Sequence, residues 1–468
     1  MRSLRRAPLR AAEEARGAAL LMAFLVLIVL LAIVYQVHTV TQTDARVTRN
    51  EITRSTMDLA LQSVMLQTYE DLVEDARAAQ DGEDGAAAGA GGDPAAPEAP
   101  PVGAGAAGEL ARNPETVDSM MDSWFAPQST NFGDIQVRIF VRDENSKYNV
   151  LNMLNPDEEI AEEAYNRVVR ILDNFREETD FDLTSAEAET LATAMLEYMQ
   201  DRRTMDEIPR ASFLNGDEEL DDQVLPLTFR EFRLLEPFED HMFMDFFGED
   251  DERIHGIEAF LTIYTAPAVG PEEANSGRPA GTGGWTVNMN TAPLAVLAAL
   301  IDDREIDFRL WDEIKEYRNE EEEPLEEEES EDGLGPEEAE AMLDEFGEEI
   351  LPTKIFDSLD ELEELFEFQD LDEEEKTNVR ELLRVDSDVF EIVLAARLST
   401  RAETADEMDF ESRTEREKFF RSGEHLVRVV RSVVWRREVE DDVEIVPLVP
   451  WEVLDNAPLQ VLDKPEDE

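Results

Sequence analysis

The chain has 468 residues, no cysteine, and 112 Asp and Glu against 42 Lys and Arg, a formal net charge of −70. That length allows two or three domains, the missing cysteine excludes disulfides, and the charge excludes a generic nucleic-acid binder because a phosphate backbone is repelled. Only six lysines stand against 36 arginines, a lysine-poor acidic surface suited to high ionic strength or divalent cations.

Arg2, Arg5, Arg6, Arg10 and Arg16 outnumber Glu13 and Glu14 in a short basic leader. Ala18 to Tyr35 is then an uninterrupted apolar run of eighteen residues, about 27 Å as a helix and near the thickness of a bilayer core. The charge asymmetry keeps the leader in the cytoplasm and sends the remainder outward, so the chain reads as a single-pass membrane protein. A secretory signal peptide would be cut after the run, but no small-residue site follows Tyr35. A prepilin-type leader is cut before the run, and Arg16-Gly17-Ala18 fits that pattern. Residues 1–17 are therefore expected to be a leader removed between Gly17 and Ala18, and 18–37 a transmembrane helix. An uncleaved signal anchor would give the same topology.

Residues 38–80 should continue that helix outward as an amphipathic one, with Val40, Val47, Met57, Leu61, Val64, Met65, Tyr69, Leu72 and Val73 at helical spacing and no proline or glycine from Gln36 to Arg77. The Ala/Gly/Pro-rich stretch at 81–108 reads as a low-complexity linker. An α/β domain is expected to begin in 109–148, where Ile135 to Arg142 alternates like a half-buried strand. Helical periodicity marks 157–176 and 185–201, with Ser185 as N-cap, and a further pair at 293–301 and 307–318. The glutamate-dominated run within 319–335 is expected to be a solvated insertion, with a calcium-binding tract as its sharper alternative. Valine-rich segments at 388–397 and 425–435 are the only good strand partners for Ile135 to Val141. The expected fold class is therefore α+β: an antiparallel sheet with a large inserted α-helical domain at 149–385, closing strands at 386–437 and a tail at 438–468.

The sharpest local signature is Val287, Asn288, Asn290, Thr291, Ala292, Pro293, Val296 and Leu297, within Trp285 to Leu300. Physically it is an extended entry into a helix, with Asn290 or Thr291 capping the free amides, Pro293 in the first turn, and Val296, Leu297 and Leu300 as the buried stripe. Asn149-Val-Leu-Asn152 is a weaker echo after the first strand. Together with the N-terminus, Leu261-Thr-Ile-Tyr264 and Ser387-Asp-Val-Phe390, these motifs resemble, in order, the minor pseudopilin known as general secretion pathway protein K, of the type II secretion system. The fifth residue after Gly17 is Met22, where most pilins carry glutamate; the resembled family also lacks it. The two low-complexity stretches depart from the family as insertions.

The resemblance implies a non-enzymatic subunit at the tip of a periplasmic pseudopilus that supports protein export. Its implied partners are other minor pseudopilins, the secretion machinery, a prepilin peptidase and the inner membrane, with no nucleic acid. It leaves calcium open as a cofactor, since some relatives hold it in the globular part. Asp201 is the acid considered, but the surrounding spacing matches no loop and no ligands are assigned. The competing class is a bitopic periplasmic binding or scaffold protein with an uncleaved anchor. Catalysis finds no support: His38, His241, His255 and His425 are scattered, and zinc, nucleophile-elbow and P-loop motifs are missing. The Asn-Thr-Ala-Pro element could open a helix–hairpin–helix, but the acidic, glycine-free chain after Leu300 argues against a phosphate-binding hairpin. Phe243, Phe246 and Phe247 read first as core.

Overall fold

The computed structural model describes residues 7–88, 117–122, 124–155, 158–176, 179, 182–203, 228–247, 253–264, 286–320, 354–398, 427–439, 442–455 and 458. Residues 89–108 of the expected linker, 321–335 of the acidic run, and Trp285 lie outside them. The chain divides into two units, Met1–Leu59 and Ala60–Glu468.

Helix α1 spans Ala7–Ala88. Pro8 sits in its first turn, where a missing N–H costs nothing, and the breaker-free stretch that follows lets the helix run on. It continues past the expected linker boundary at residue 81, through Gly82 and Gly85 to Ala88. In the first unit the side chains of Phe24 through Val40 are exposed.

In the second unit a five-stranded antiparallel sheet has the order β1-β2-β9-β10-β11. Its strands are β1 Gln128–Phe132, β2 Ile135–Asp143, β9 Val389–Leu398, β10 Val427–Val439 and β11 Asp442–Leu454. The pairing of β2 with β9 runs from Ile135↔Leu398 to Asp143↔Phe390, joining strands about 250 residues apart in sequence. The stretch 438–468 was expected to be a tail; instead, Asp442–Leu454 is the edge strand, paired from Val439↔Asp442 to Val429↔Leu454. Pro447 and Pro450 disguise it, since proline is excluded from central strands but tolerated at an edge whose N–H side has no partner.

The two faces of the sheet follow from the period-two alternation. Val430, Ser432 and Val434 share one face with Ile392, Leu394, Val137 and Val141, and all but Ser432 are buried apolar residues. Tyr69 Oη of α1 lies 2.7 Å from Ser432 Oγ on this face, and the Leu61, Val64, Met65, Leu72 and Ala76 stripe of the same helix is buried. Each such aliphatic side chain contributes about 1.5–3 kcal/mol by leaving water. On the other face Val433 and Trp435 join a core with Tyr148, Met195, Phe229, Leu297, Trp311 and Phe368.

That second core is built by the chain between β2 and β9. It contains β3 Tyr148–Asn149, α2 Glu158–Asp173, α3 Ser185–Arg203, β4 Phe246–Phe247, β5 Arg253–Ile254, β6 Leu261–Thr262 and β7 Val287–Asn288. After these come α4 Leu294–Ala299, α5 Arg309–Asn319, α6 Phe366–Gln369, α7 Glu373–Leu382 and β8 Leu383–Arg384. Helices α2 to α5 fall where periodicity put them, α6 and α7 were not among the expected helices, and two-residue ladders run among them: β3 with β6 and β7 with β8, both parallel, and β4 with β5. Thr184, not Ser185, caps α3, because its Oγ1 accepts from Glu187 N while Glu187 Oε2 takes the Thr184 N–H in return. Phe243 is core, as expected, and clusters with Phe229 and Phe238. Lys376 and Arg380 both reach Glu363 and lie over the Phe368 ring, a tertiary clasp between α7 and the turn before α6.

Candidate functional site

Two features bear on function: the apolar length of α1, and a buried polar joint at the end of β2. The described residues hold one helix long and apolar enough to cross a membrane, and its most apolar eighteen-residue window has mean hydropathy 2.2 with none of it buried. Gly17 and Ala18 lie within α1. Met22 is 74% exposed.

The polar joint begins where β2 runs out at Asp143-Glu144, both buried. Asp143 serves the Val287–Leu297 element. Its Oδ2 accepts from Thr291 Oγ1 at 2.5 Å, Ser387 Oγ at 2.6 Å and Asn288 Nδ2 at 3.2 Å, while Oδ1 accepts the Asn145 N–H at 2.7 Å. Asn288, fully buried, closes an Asx turn by accepting the Asn290 N–H at 3.0 Å, and its Nδ2 also donates to Asp118 O and Ser387 Oγ, both at 2.9 Å. Asn290 clasps Phe356 in both directions, donating to its carbonyl at 3.0 Å and accepting its N–H at 2.9 Å.

Neither Asn290 nor Thr291 caps the following helix, contrary to expectation: Pro293 is the N-cap of α4 and no side-chain cap bond forms. The two polar side chains are needed elsewhere, because burying them unpaired would cost more than an uncapped turn. The apolar members behave as the pattern implied. Val287, Ala292, Val296 and Leu297 are buried, with Leu300 beside them.

The echo at Asn149 has the same local plan. It ends a two-residue parallel strand, accepts the Leu151 N–H at 2.9 Å and donates to Tyr264 O at 3.2 Å. Its neighbour Glu144 accepts from Lys147 and from Thr262 Oγ1. Of the two adjacent carboxylates, Asp143 bonds the Asn288 turn directly, while Glu144 bonds Thr262, the strand partner of Asn149. Asn152 is fully buried.

Electrostatics separates the two halves. Around Glu144 the charges balance: Arg431 bonds Glu391 at 3.1 Å, Glu258 at 3.2 Å and Glu452 at 2.6 Å, and Lys147, Arg142 and Arg230 complete the set. Burial pushes the Glu391 carboxyl up, but Lys147, Arg142 and Arg431 overcome it and hold it well below the usual carboxylate range. Around Asp143 they do not balance. Arg436 meets Asp118 at 2.6 Å and Asp75 of α1 at 3.3 Å. Burial pushes Asp118 up to about 7 despite the nearby guanidinium, with Asp75 and Asp143 adding to the rise.

Asp118, Asp143, Glu144, Asn288, Ser387 and Glu391 at the heart of the joint are buried. Among the described residues no group of three or more His, Asp or Glu is arranged to hold a metal ion. Asp201 lies on α3 with its side chain exposed. Asp118, Asp143, Glu391, Arg431 and Arg436 were not singled out from sequence. One local signal existed: Glu391 and Arg431 interrupt valine-rich strands at alternating positions, and a charge there must find a buried partner. No family model and no curated protein matches the chain. Among solved structures it is similar to a chain in the crystal structure of the GspK–GspI–GspJ complex from the type 2 secretion system of enterotoxigenic Escherichia coli, at 12% identity and a TM-score of 0.39, covering 73% of this chain and 88% of that one.

Proposed function

We propose that this chain is a non-enzymatic minor pseudopilin of a type II secretion system, held in the inner membrane by α1 with its globular part in the periplasm. The observation that carries the reading is Gly17 set directly before an apolar run that continues, as one helix, into the stripe that carries Tyr69 onto the sheet. A leader cut before the run leaves that helix in the mature protein, which a filament subunit requires and a secreted protein does not. The ordered motifs from Asn149 through Val287–Leu297 to Ser387 support the same family.

Met22 supports a place at the tip. In other pilins the carboxylate at this position is thought to meet the amino terminus of a neighbouring subunit, so a subunit without it is tolerable where no subunit stacks above. The bulk between β2 and β9 would likewise obstruct further stacking. Its partners in this reading are other minor pseudopilins, and 149–385 would be a helical insertion that shares the core of its host sheet.

Mass spectrometry of the mature amino terminus tests the proposal. Cleavage between Gly17 and Ala18 by a prepilin peptidase is expected, and Gly17→Leu should block it while leaving membrane insertion intact. A purified protein that retains residues 1–17 would overturn the reading and favour a bitopic scaffold on an uncleaved anchor.

A further inference from the structure

We propose that the carboxylates of Asp75, Asp118 and Asp143 around Arg436 form a proton-dependent latch, closed when Asp118 carries a proton and loosened at its contact with α1 when that proton leaves. The inference concerns residues 60–77 of α1 and the sheet, and it stands independently of the proposed function.

The geometry sets up a shortage of positive charge. Arg436 Nη2 donates to Asp118 Oδ2 at 2.6 Å and to Ser387 O at 2.9 Å, while Nη1 reaches Asp75 Oδ2 on α1 at 3.3 Å. Its guanidinium also lies 4.8 Å from the Phe390 ring centroid, which fixes its plane. Asp143 of β2 is joined to Asp118 through Ser387, whose N–H goes to Asp118 Oδ2 and whose hydroxyl goes to Asp143 Oδ2, and through the Asn288 amide. The other charges that face the group are Arg384 on β8 with Asp386 and Asp388 in the turn before β9. Arg384 is already taken up by those two acids. The group therefore holds five carboxylates and two guanidiniums, unlike the balanced set around Arg431.

Asp118 is the member that can hold the proton. Burial raises the Asp143 carboxyl as well, but the four donors directed at it offset part of that rise and occupy both of its oxygens. Asp75 is partly open to water, its side chain 30% exposed. Asp118 is buried, and both hydrogen bonds described for its carboxylate fall on Oδ2, which leaves Oδ1 able to carry a proton without breaking either. Burial raises Asp118 toward neutrality, in keeping with this arrangement. Once ionised, Asp118 repels Asp75 and Asp143 and competes with Asp75 for Arg436. The tie to α1 then weakens.

The sign of the pH effect is defined. Asp118 is raised in the folded state to about 7, above its ordinary value of about 3.9. Its contribution to stability is complete below about pH 4, declines from there to about 7, and is absent above. Hydrogen exchange of residues 60–77, followed by mass spectrometry on the full chain in detergent and corrected for intrinsic rate, reads the latch directly. Exchange there should rise about tenfold between pH 6 and pH 8.5 in the native protein and stay flat in Asp118→Asn. In Asp75→Asn, which keeps the titrating group but removes a neighbouring charge, the midpoint should move to lower pH. Exchange that is flat in the native protein, or that rises equally in Asp118→Asn, overturns the proposal. Should Asp118→Asn fail to fold, an unmoved midpoint in Asp75→Asn overturns it as well.

Discussion

Asn288→Ala removes one side chain and unpairs several buried groups. The Asn290 N–H loses its acceptor at 3.0 Å, and Asp118 O loses its donor at 2.9 Å. Asp143 keeps its bonds from Thr291, Ser387 and Asn145. A buried group left unpaired costs about 1–3 kcal/mol, so two such groups with the small void beside them amount to about 3–6 kcal/mol. Because Asn288 is fully buried, water cannot replace the lost partners. The melting temperature of the full chain in detergent, followed by circular dichroism, should fall by about 6–12 °C, at roughly 2 °C per kcal/mol for a unit of this size. Asn288→Asp separates hydrogen bonding from packing: it keeps the acceptor but sets a new carboxylate against Asp143. Burial and the neighbouring charge raise its pKa, so it should be less stable than Asn288→Ala at pH 8 and regain stability as pH falls toward 5. An Asn288→Ala protein that melts within about 2 °C of the native chain would refute the view that this asparagine holds the joint together.

Leu61→Glu with Val64→Glu should lower the melting temperature sharply, by about 3–5 kcal/mol of stability, because both side chains are buried where α1 meets the sheet; unchanged melting with impaired secretion would make them an intersubunit surface instead. Arg431→Met leaves Glu258, Glu391 and Glu452 facing one another and should cost about 3–5 kcal/mol at pH 8. The deficit should shrink on acidification as those carboxylates take up protons, and a pH-independent deficit in the melting series would refute the charge argument. Excising residues 321–353 and joining Glu320 to Lys354 by a short glycine turn should leave melting within about 2 °C, since the Lys354 N–H already donates to Glu320 O at 2.8 Å and the loop ends meet. The cut must spare Glu320, whose carboxylate also pairs with Lys354. A large loss would show that the excised tract carries structure.

Local patterns decided much of this molecule before any tertiary contact. The apolar run from Ala18 and the breaker-free stretch after it determine α1, because helix formation depends on neighbours three and four residues away. Strands β2, β9 and β10 were legible for the same kind of reason, each writing its own alternation. The Val287–Leu297 element announced a turn into a helix, and its buried apolar members follow from spacing alone. What these patterns could not state is who meets whom. Asn290 and Thr291 look like caps in sequence, yet Phe356 and Asp143 claim them across long stretches of chain. Edge strand β11 was hidden by two prolines whose tolerance depends on lying at the rim of a sheet. The buried charges depended most on tertiary structure. Whether Arg431 or Arg436 is stable inside depends on which carboxylates the fold delivers, and that balance is a property of distances between strands, which no local periodicity contains.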